Sequence, residues 1–319
     1  MFRHLLVPLD GSPLAEAALS AALTLSAKFD SEITLLRVVP SLNVIIDGAA
    51  VMESLLDFRR QVFKEAETYL KMHQSSLRQQ GYKAHRHLRE GDSIAEIILD
   101  VAKGRDIDMI VMSTHGRGGV ARWVFGSVAD KVLRHAQMPV LLIRAQEDGA
   151  ILPAPQFKHL LVPLDGSQLA ENALPMAQEL AANLQSKVTL LRVTKTPYTP
   201  ADVSGHAYGE LVAVLQDEMR QEASDYLAAT EQMFDRQGVE VDSEVLTGSP
   251  TAKVILDIVR QRHVDAIVMS THGRGGISRW VYGSVADRIL QSASVPVFLI
   301  RASETPETPE QPLEMAVPL

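Results

Sequence analysis

The feature that most restricts the possible folds of this chain is an internal duplication. The segment VMSTHGRGGVARWVFGSVAD (Val111–Asp130) returns as VMSTHGRGGISRWVYGSVAD (Val268–Asp287) with only three substitutions. The opening of the chain is repeated as well, since HLLVPLDGSPLAEAAL (His4–Leu19) returns as HLLVPLDGSQLAENAL (His159–Leu174). Each copy is far longer than the repeat of a solenoid protein, so the pattern predicts two copies of a whole domain.

The duplication divides the 319 residues into four segments. We expect a first domain at residues 1–145, a linker at 146–156, a second domain at 157–302 and a disordered tail at 303–319. The linker contains prolines and lacks hydrophobic periodicity. The tail is rich in Pro and Glu, which is typical of segments that cannot bury a core.

Composition and charge exclude several classes of protein. The net charge of −8 argues against nucleic-acid binding, because contact with many phosphates requires a basic surface. The chain has no cysteine, which excludes disulfides, thiolate metal sites and a cysteine nucleophile. No apolar run is long enough to span a bilayer, and the N-terminus does not resemble a secretion signal. We therefore expect a cytoplasmic protein with neither nucleic acid nor membrane as partner.

Short apolar runs alternate with amphipathic segments in each copy. In the first copy the predicted strands are HLLVPL, EITLLRVV, KAHRHL, DMIVMS and PVLLIR. Strands separated by helices predict an α/β fold, here two copies of a doubly wound domain with five parallel strands and helices on both faces. Ligands bind beyond the carboxyl ends of such strands. If the first and fourth strands are neighbours, Asp10–Gly11 and Ser113–Gly119 meet at one crevice.

The glycine-rich segment has features of a phosphate-binding loop. It leaves a predicted strand and enters a predicted helix at GSVAD, so Gly126 and Ser127 bring backbone amides and a hydroxyl to the positive end of that helix. In the alternative interpretation, the glycines only turn the chain and Ser127 only caps the helix. The segment is neither a Walker A motif nor a first-strand dinucleotide fingerprint.

Together, the opening PLDGS and the glycine-rich segment resemble the universal stress protein family in its tandem two-domain form. The family's nucleotide signature is G-x2-G-x9-G-[ST]. Its later part is matched by Gly116 with Gly126–Ser127, and again by Gly273 with Gly283–Ser284. The resemblance covers nearly the whole chain outside the linker and the tail.

The chain departs from this signature at its first glycine. Ser113 stands there in the first copy and Ser270 in the second. A positive φ at either serine would be strained, which would change the geometry of a bound ligand.

The resemblance implies a Rossmann-like domain of the adenine nucleotide alpha hydrolase type, with a crevice for ATP, with or without Mg²⁺. It implies that Asp10 and Asp165 contact the nucleotide, although an aspartate in DGS can also simply form a turn. The implied cofactor-binding residues are Pro8, Asp10, Val38, Met112, Ser113, Gly116, Gly126, Ser127, Val128, Pro163, Asp165, Val193, Met269, Ser270, Gly273, Gly283, Ser284 and Val285. We expect no catalytic residue and no metal-binding side chain, and we expect the two sites to be equivalent.

Three functions remain open at this point. We expect an ATP-binding protein of the stress response, with adenine nucleotide as partner. The alternatives are a slow ATP hydrolase or phosphotransferase, for which an acidic pair and a P-loop lysine are missing, and a nucleotide-free dimerisation scaffold. In the family, the fifth strand usually forms the dimer contact. PVLLIR (Pro139–Arg144) and PVFLIR (Pro296–Arg301) are therefore expected to pair as an intrachain pseudo-dimer, with a homo-oligomer also open.

Overall fold

The computed structural model describes residues 2–41, 49–114, 126–144, 154–195, 206–235, 238–271 and 283–301. Gly116, Gly273, most of the predicted linker and the whole predicted tail lie outside the described residues.

Both halves contain the predicted alternation of strands and helices. The first half contains β1 (His4–Pro8), α1 (Pro13–Phe29), β2 (Glu32–Val39), α2 (Ala49–Gln79), β3 (Ala84–Glu90), α3 (Ile94–Gly104), β4 (Met109–Thr114), α4 (Ser127–His135) and β5 (Val140–Arg144). The second half contains β6 (His159–Leu164), α5 (Gln168–Glu171), α6 (Leu174–Leu184), β7 (Lys187–Thr194), α7 (His206–Asp235), β8 (Val241–Thr247), α8 (Thr251–Gln261), β9 (Ala266–Ser270), α9 (Ser284–Ser292) and β10 (Val297–Ile300).

All of these strands join one sheet, in the order β3-β2-β1-β4-β5-β10-β9-β6-β7-β8. The strand pairs within each half are parallel, whereas β5 and β10 pair antiparallel, with Phe298 opposite Leu141. The two halves therefore share a sheet, and neither β5 nor β10 is an open edge. β1 and β4 are neighbours, which meets the condition for the two motifs to share a crevice, and the strand order reverses between them.

A hydrophobic core covers each face of this sheet and runs through both halves. On one face, Leu5 and Val7 pack in the same core as residues of α1, α2, α6 and α7. On the other face, Leu6 packs in the same core as residues of α3, α4, α8 and α9. Successive strand side chains point to opposite faces, so a strand covered on both sides must be apolar at consecutive positions. This requirement explains runs such as Leu5, Leu6 and Val7.

The first helix differs between the copies. In the first copy α1 is continuous, and the Ser12 hydroxyl accepts a hydrogen bond from the Ala15 amide at its predicted N-cap. In the second copy it is divided into α5 and α6, because Pro175 stands where the first copy has Ser20. Proline has no amide hydrogen for the carbonyl one turn earlier, and its ring collides with that carbonyl.

The end of α6 offers a test of backbone strain. Gln185 is exposed and adopts a left-handed conformation, with φ 54° and ψ 49°. We expect Gln185→Gly to raise the free energy of unfolding by about 0.5–1 kcal/mol, because relief of a left-handed strain of about 1–2 kcal/mol outweighs the larger entropy loss of glycine, about 0.5–1 kcal/mol. Gln185→Ala keeps the Cβ and should bring no gain. Urea denaturation measures both, and a less stable glycine variant would contradict the explanation.

His4 connects β1 to neighbouring elements through both ring nitrogens. Its Nδ1 lies 3.1 Å from the carbonyl oxygen of Arg105, and its Nε2 lies 2.8 Å from Oγ1 of Thr34. Desolvation by burial lowers the pKa of His4 below its ordinary value. The fold therefore favours the neutral ring.

We expect the free energy of unfolding to fall as the pH is lowered from about 7 to about 5. In the unfolded chain, His4 takes up a proton near its ordinary pKa of about 6.5. In the folded chain its pKa is lower, so the unfolded state binds more protons in this range. His4→Gln should reduce the pH dependence without abolishing it, because burial also lowers the pKa of His87 and His159. Urea unfolding at several pH values checks this, and equal slopes in both proteins would refute it.

Candidate functional site

In the first half, a cavity of about 470 Å³ lies at the carboxyl ends of β1, β2 and β4, where the strand order reverses. Its apolar walls include Leu36 of β2 and Ile94 and Ile98 of α3. The predicted residues that line it are Pro8, Asp10, Val38, Met112, Ser113, Gly126, Ser127 and Val128. The structure thus brings together residues that are far apart in the sequence.

The second half has a corresponding cavity of about 440 Å³. The predicted residues that line it are Pro163, Asp165, Val193, Met269, Ser270, Gly283, Ser284 and Val285. Every described member of the predicted set therefore lies at one of the two cavities.

Each cavity contains the beginning of a helix. Gly126 is the N-cap residue of α4 and Gly283 that of α9, while Ser127 and Ser284 are the first residues within these helices. Because glycine has no side chain, the N-cap residue cannot satisfy the amides of the first turn. Because Gly126 is the N-cap residue, Ser127 does not occupy the capping position that the alternative interpretation gave it. The arrangement leaves backbone donors and the positive helix end at the cavity wall.

The serines that replace the first signature glycine lie in regular strands. Ser113 belongs to β4 and Ser270 to β9, and neither has a positive φ. The strain that a positive φ would have caused does not arise, because extended backbone suits any residue. Both side chains are buried at a cavity wall. The substitution therefore places a hydroxyl-bearing side chain in each cavity without distorting the backbone.

Asp10 and Asp165 form the turns that follow β1 and β6. Oδ1 of Asp10 accepts a hydrogen bond of 2.9 Å from the amide of Ser12. Oδ1 of Asp165 accepts bonds from the amide and the hydroxyl of Ser167, at 3.0 and 2.6 Å. The turn-forming role proposed from the sequence is thus present. A carboxylate has two oxygens with several acceptor positions, so this role is compatible with a ligand contact by the same residue.

A half-buried tyrosine in each half, near the cavity but not among its described lining residues, was missed from the sequence. The Tyr69 hydroxyl donates to Oε1 of Glu16 at 2.8 Å, and the Tyr226 hydroxyl donates to Oε1 of Glu171 at 2.9 Å. Burial first, and then the carboxylate acceptor, raise the pKa of both tyrosines above the ordinary value. Both therefore remain protonated donors at neutral pH. The signal that could have found them is the recurrence of the same tyrosine and glutamate in both copies.

The cavities differ on the side that faces α7. Arg192 is buried and lines the second cavity, where its guanidinium lies over the Tyr226 ring and donates to Glu222 at 2.9 Å. Met219 and Glu222 of α7 also line this cavity, whereas no described residue of α2 lines the first. The expectation of equivalent sites is therefore wrong in this part of the wall. The first copy has the corresponding Arg37, which lies over the Tyr69 ring at 5.0 Å, and the corresponding Glu65, but neither lines the described part of the first cavity.

Comparison with known proteins decides the family. The model of the universal stress protein family matches residues 1–144 and 156–301. The chain belongs to the universal stress protein family. Universal stress protein Rv2623 of Mycobacterium tuberculosis (strain ATCC 25618 / H37Rv) is 25% identical over 305 residues, which cover 94% of this chain and 97% of that protein. Universal stress protein Rv2005c of the same strain is 29% identical over 207 residues, which span 62% of this chain and 63% of that relative.

Solved structures of universal stress proteins have the same architecture. The crystal structure of a universal stress protein from Archaeoglobus fulgidus DSM 4304 has a TM-score of 0.70 at 21% identity, covering 95% of this chain and 100% of that one. A putative universal stress protein from Pseudomonas aeruginosa UCBPP-PA14 has a TM-score of 0.64 at 17% identity, covering 94% of each chain. The fold of this chain is therefore the Rossmann-like α/β fold of the family, with two universal stress protein domains.

Two further properties concern only the part of the chain that the structure describes. None of its helices combines the length and the apolar character that crossing a membrane would require. Within the same ranges, no group of three or more His, Asp or Glu side chains is arranged to hold a metal ion.

Proposed function

We propose that each half of this chain binds one adenine nucleotide, with ATP as the ligand, and that the protein acts as a nucleotide-responsive regulator in the stress response. One observation carries this proposal. In both halves, residues that match the family's nucleotide signature line a single cavity at the carboxyl ends of the strands. The strand order reverses at this point in each half, which is where open α/β sheets bind their ligands.

The groups in the first cavity suit the parts of a nucleotide. The amides at the start of α4 and the hydroxyl of Ser127 provide donors for phosphate oxygens at the positive end of a helix. The Asp10 carboxylate can accept hydrogen bonds from ribose hydroxyls. The apolar walls suit the flat adenine ring. A volume of about 470 Å³ lies in the range of small-molecule pockets, roughly 300–1,000 Å³.

In the first cavity, nucleotide binding is favoured over rapid hydrolysis by the composition of the described lining, whereas the second cavity is lined in addition by Lys195 and Glu222. The described lining of the first cavity includes one carboxylate, that of Asp10, and neither lysine nor histidine. Phosphoryl transfer requires a positioned nucleophile and stabilisation of the developing charge. The described lining is therefore better equipped to bind a nucleotide than to activate a water molecule. Bound nucleotide can then control a partner that distinguishes the occupied from the ligand-free form.

The number of ATP molecules bound per chain tests this proposal. We expect isothermal titration calorimetry to give two sites per chain, of unequal affinity because the cavity walls differ. A stoichiometry of zero would refute nucleotide binding and support the scaffold alternative. Turnover of ATP with Mg²⁺ at about 1 s⁻¹ or faster would instead support an enzyme, since typical enzymes work at about 1–10³ s⁻¹.

A further inference from the structure

The first cavity contains a buried polar group that has no partner within the described part of the chain. Ser113 is 4% exposed, and its Oγ makes no hydrogen bond to any described residue. Its side chain lines the cavity together with Asp10, Gly126 and Ser127. Burying a hydroxyl without a partner costs folding free energy. A ligand that accepts a hydrogen bond at this point would remove that cost.

We propose that Ser113 is an affinity-determining residue whose hydroxyl donates a hydrogen bond to a phosphate oxygen of the nucleotide in the first cavity. This inference rests on the proposed function and adds a contact that the family's signature, with glycine at this position, cannot make. Ser113 shares the cavity wall with Gly126 and Ser127, at the positive end of α4, where a phosphate is stabilised. A hydroxyl that donates to an anionic oxygen forms a strong, charge-assisted hydrogen bond.

The backbone of β4 makes this contact possible without strain. Ser113 pairs with Ile143 of β5 in a regular parallel ladder, and its φ is not positive. The strand therefore fixes the backbone of Ser113 and the direction of its Cα–Cβ bond before the ligand arrives. Such preorganisation means that little conformational entropy is lost when the hydrogen bond forms.

A structural role of the Ser113 hydroxyl and a ligand-binding role predict different changes in the stability of the ligand-free protein when the hydroxyl is removed. If the hydroxyl supported the fold, its removal would lower the melting temperature of the ligand-free protein. If it has no partner until ligand binds, its removal leaves that temperature unchanged or raises it, because an unsatisfied buried group is lost. Stability and affinity measured on the same variant therefore separate the two roles.

The experiment uses the full chain with Ser284→Asp, which places a negative charge at the start of α9 and is expected to restrict ATP binding to the first cavity, a restriction that a measured stoichiometry of one confirms. In this parent protein, Ser113→Ala and Ser113→Gly each remove the hydroxyl. We expect both to raise the dissociation constant for ATP by about tenfold or more. The affinity for adenosine, which has no phosphate, should not change. The melting temperature of the ligand-free alanine variant should equal or exceed that of the parent.

Three outcomes count against this inference while leaving the proposed function intact. In the first, both variants bind ATP as tightly as the parent does. In the second, adenosine loses as much affinity as ATP, which would place the contact away from the phosphates. In the third, the ligand-free alanine variant has a lower melting temperature than the parent. Absence of ATP binding by the wild-type chain would refute the proposed function and this inference together.

Discussion

Replacement of Ser127 by aspartate is expected to lower the affinity of the first cavity for ATP by at least about a hundredfold. Ser127 is the first residue of α4 and lines the cavity, so the new carboxylate would lie beside the phosphates. Two like charges about 4 Å apart near a protein surface repel each other by about 4 kcal/mol. The same carboxylate is favourable at the positive end of a helix, so the ligand-free protein should keep its stability. Calorimetric titration and thermal unfolding measure these two effects.

Ser127→Asn is the matched control, because asparagine has nearly the size of aspartate but no charge. We expect it to retain much of the affinity that aspartate removes. Ser284→Asp should act in the same way on the second cavity, and the double aspartate variant should bind no ATP. Equal losses in the asparagine and aspartate variants would show that size, rather than charge, determines binding at this point. Undiminished binding in the aspartate variant would place the phosphates elsewhere.

Phe298→Ala is expected to lower the free energy of unfolding by about 3–5 kcal/mol. Phe298 lies in β10, is completely buried and pairs with Leu141 of β5 at the junction between the halves. Its ring centroid lies 5.3 Å from that of Phe157, within a core that runs through both halves. Truncation therefore removes apolar contacts at the centre of the sheet and leaves a cavity there. Chemical denaturation monitored by circular dichroism measures the loss.

Phe58→Ala is the control for this prediction. Phe58 lies on α2 with 57% of its surface exposed, so the same truncation should change stability by less than about 0.5 kcal/mol. Similar losses for the two variants would contradict the assignment of the junction as part of the core. A Phe298→Ala protein that unfolds in two separate transitions would show in addition that the junction couples the halves.

The antiparallel pairing of β5 with β10 joins the two duplicated halves into one sheet. Each half supplies one strand, and the two close each other's edges. Unpaired edge strands invite association with other chains, and the shared sheet removes that possibility at these two strands. The remaining sheet edges are β3 and β8, at opposite ends of the strand order.

Much of this protein was determined by the sequence itself. Apolar runs such as HLLVPL predicted strands buried on both faces, because side chains that alternate across a covered sheet must all be apolar. The alternation of strands with helices then indicated that neighbouring strands run parallel and are joined by helical crossovers. Loops such as Asp10–Gly11 consequently lie at the carboxyl ends of the strands. The duplication predicted two similar sites, because the nearly identical motifs stand at the same places in both copies of the fold.

Other features were decided only by the tertiary structure. The antiparallel pairing of β5 with β10 was expected only from the family resemblance, because local sequence does not determine whether a short apolar strand pairs within its own chain or with another. The contact of Arg192 with Tyr226 and Glu222 depends on how α7 is placed against β7. That the Ser113 hydroxyl has no partner among the described residues depends on every group that surrounds it. Hydrophobic periodicity records which face of an element is buried, whereas these contacts depend on packing between elements that are distant in the chain.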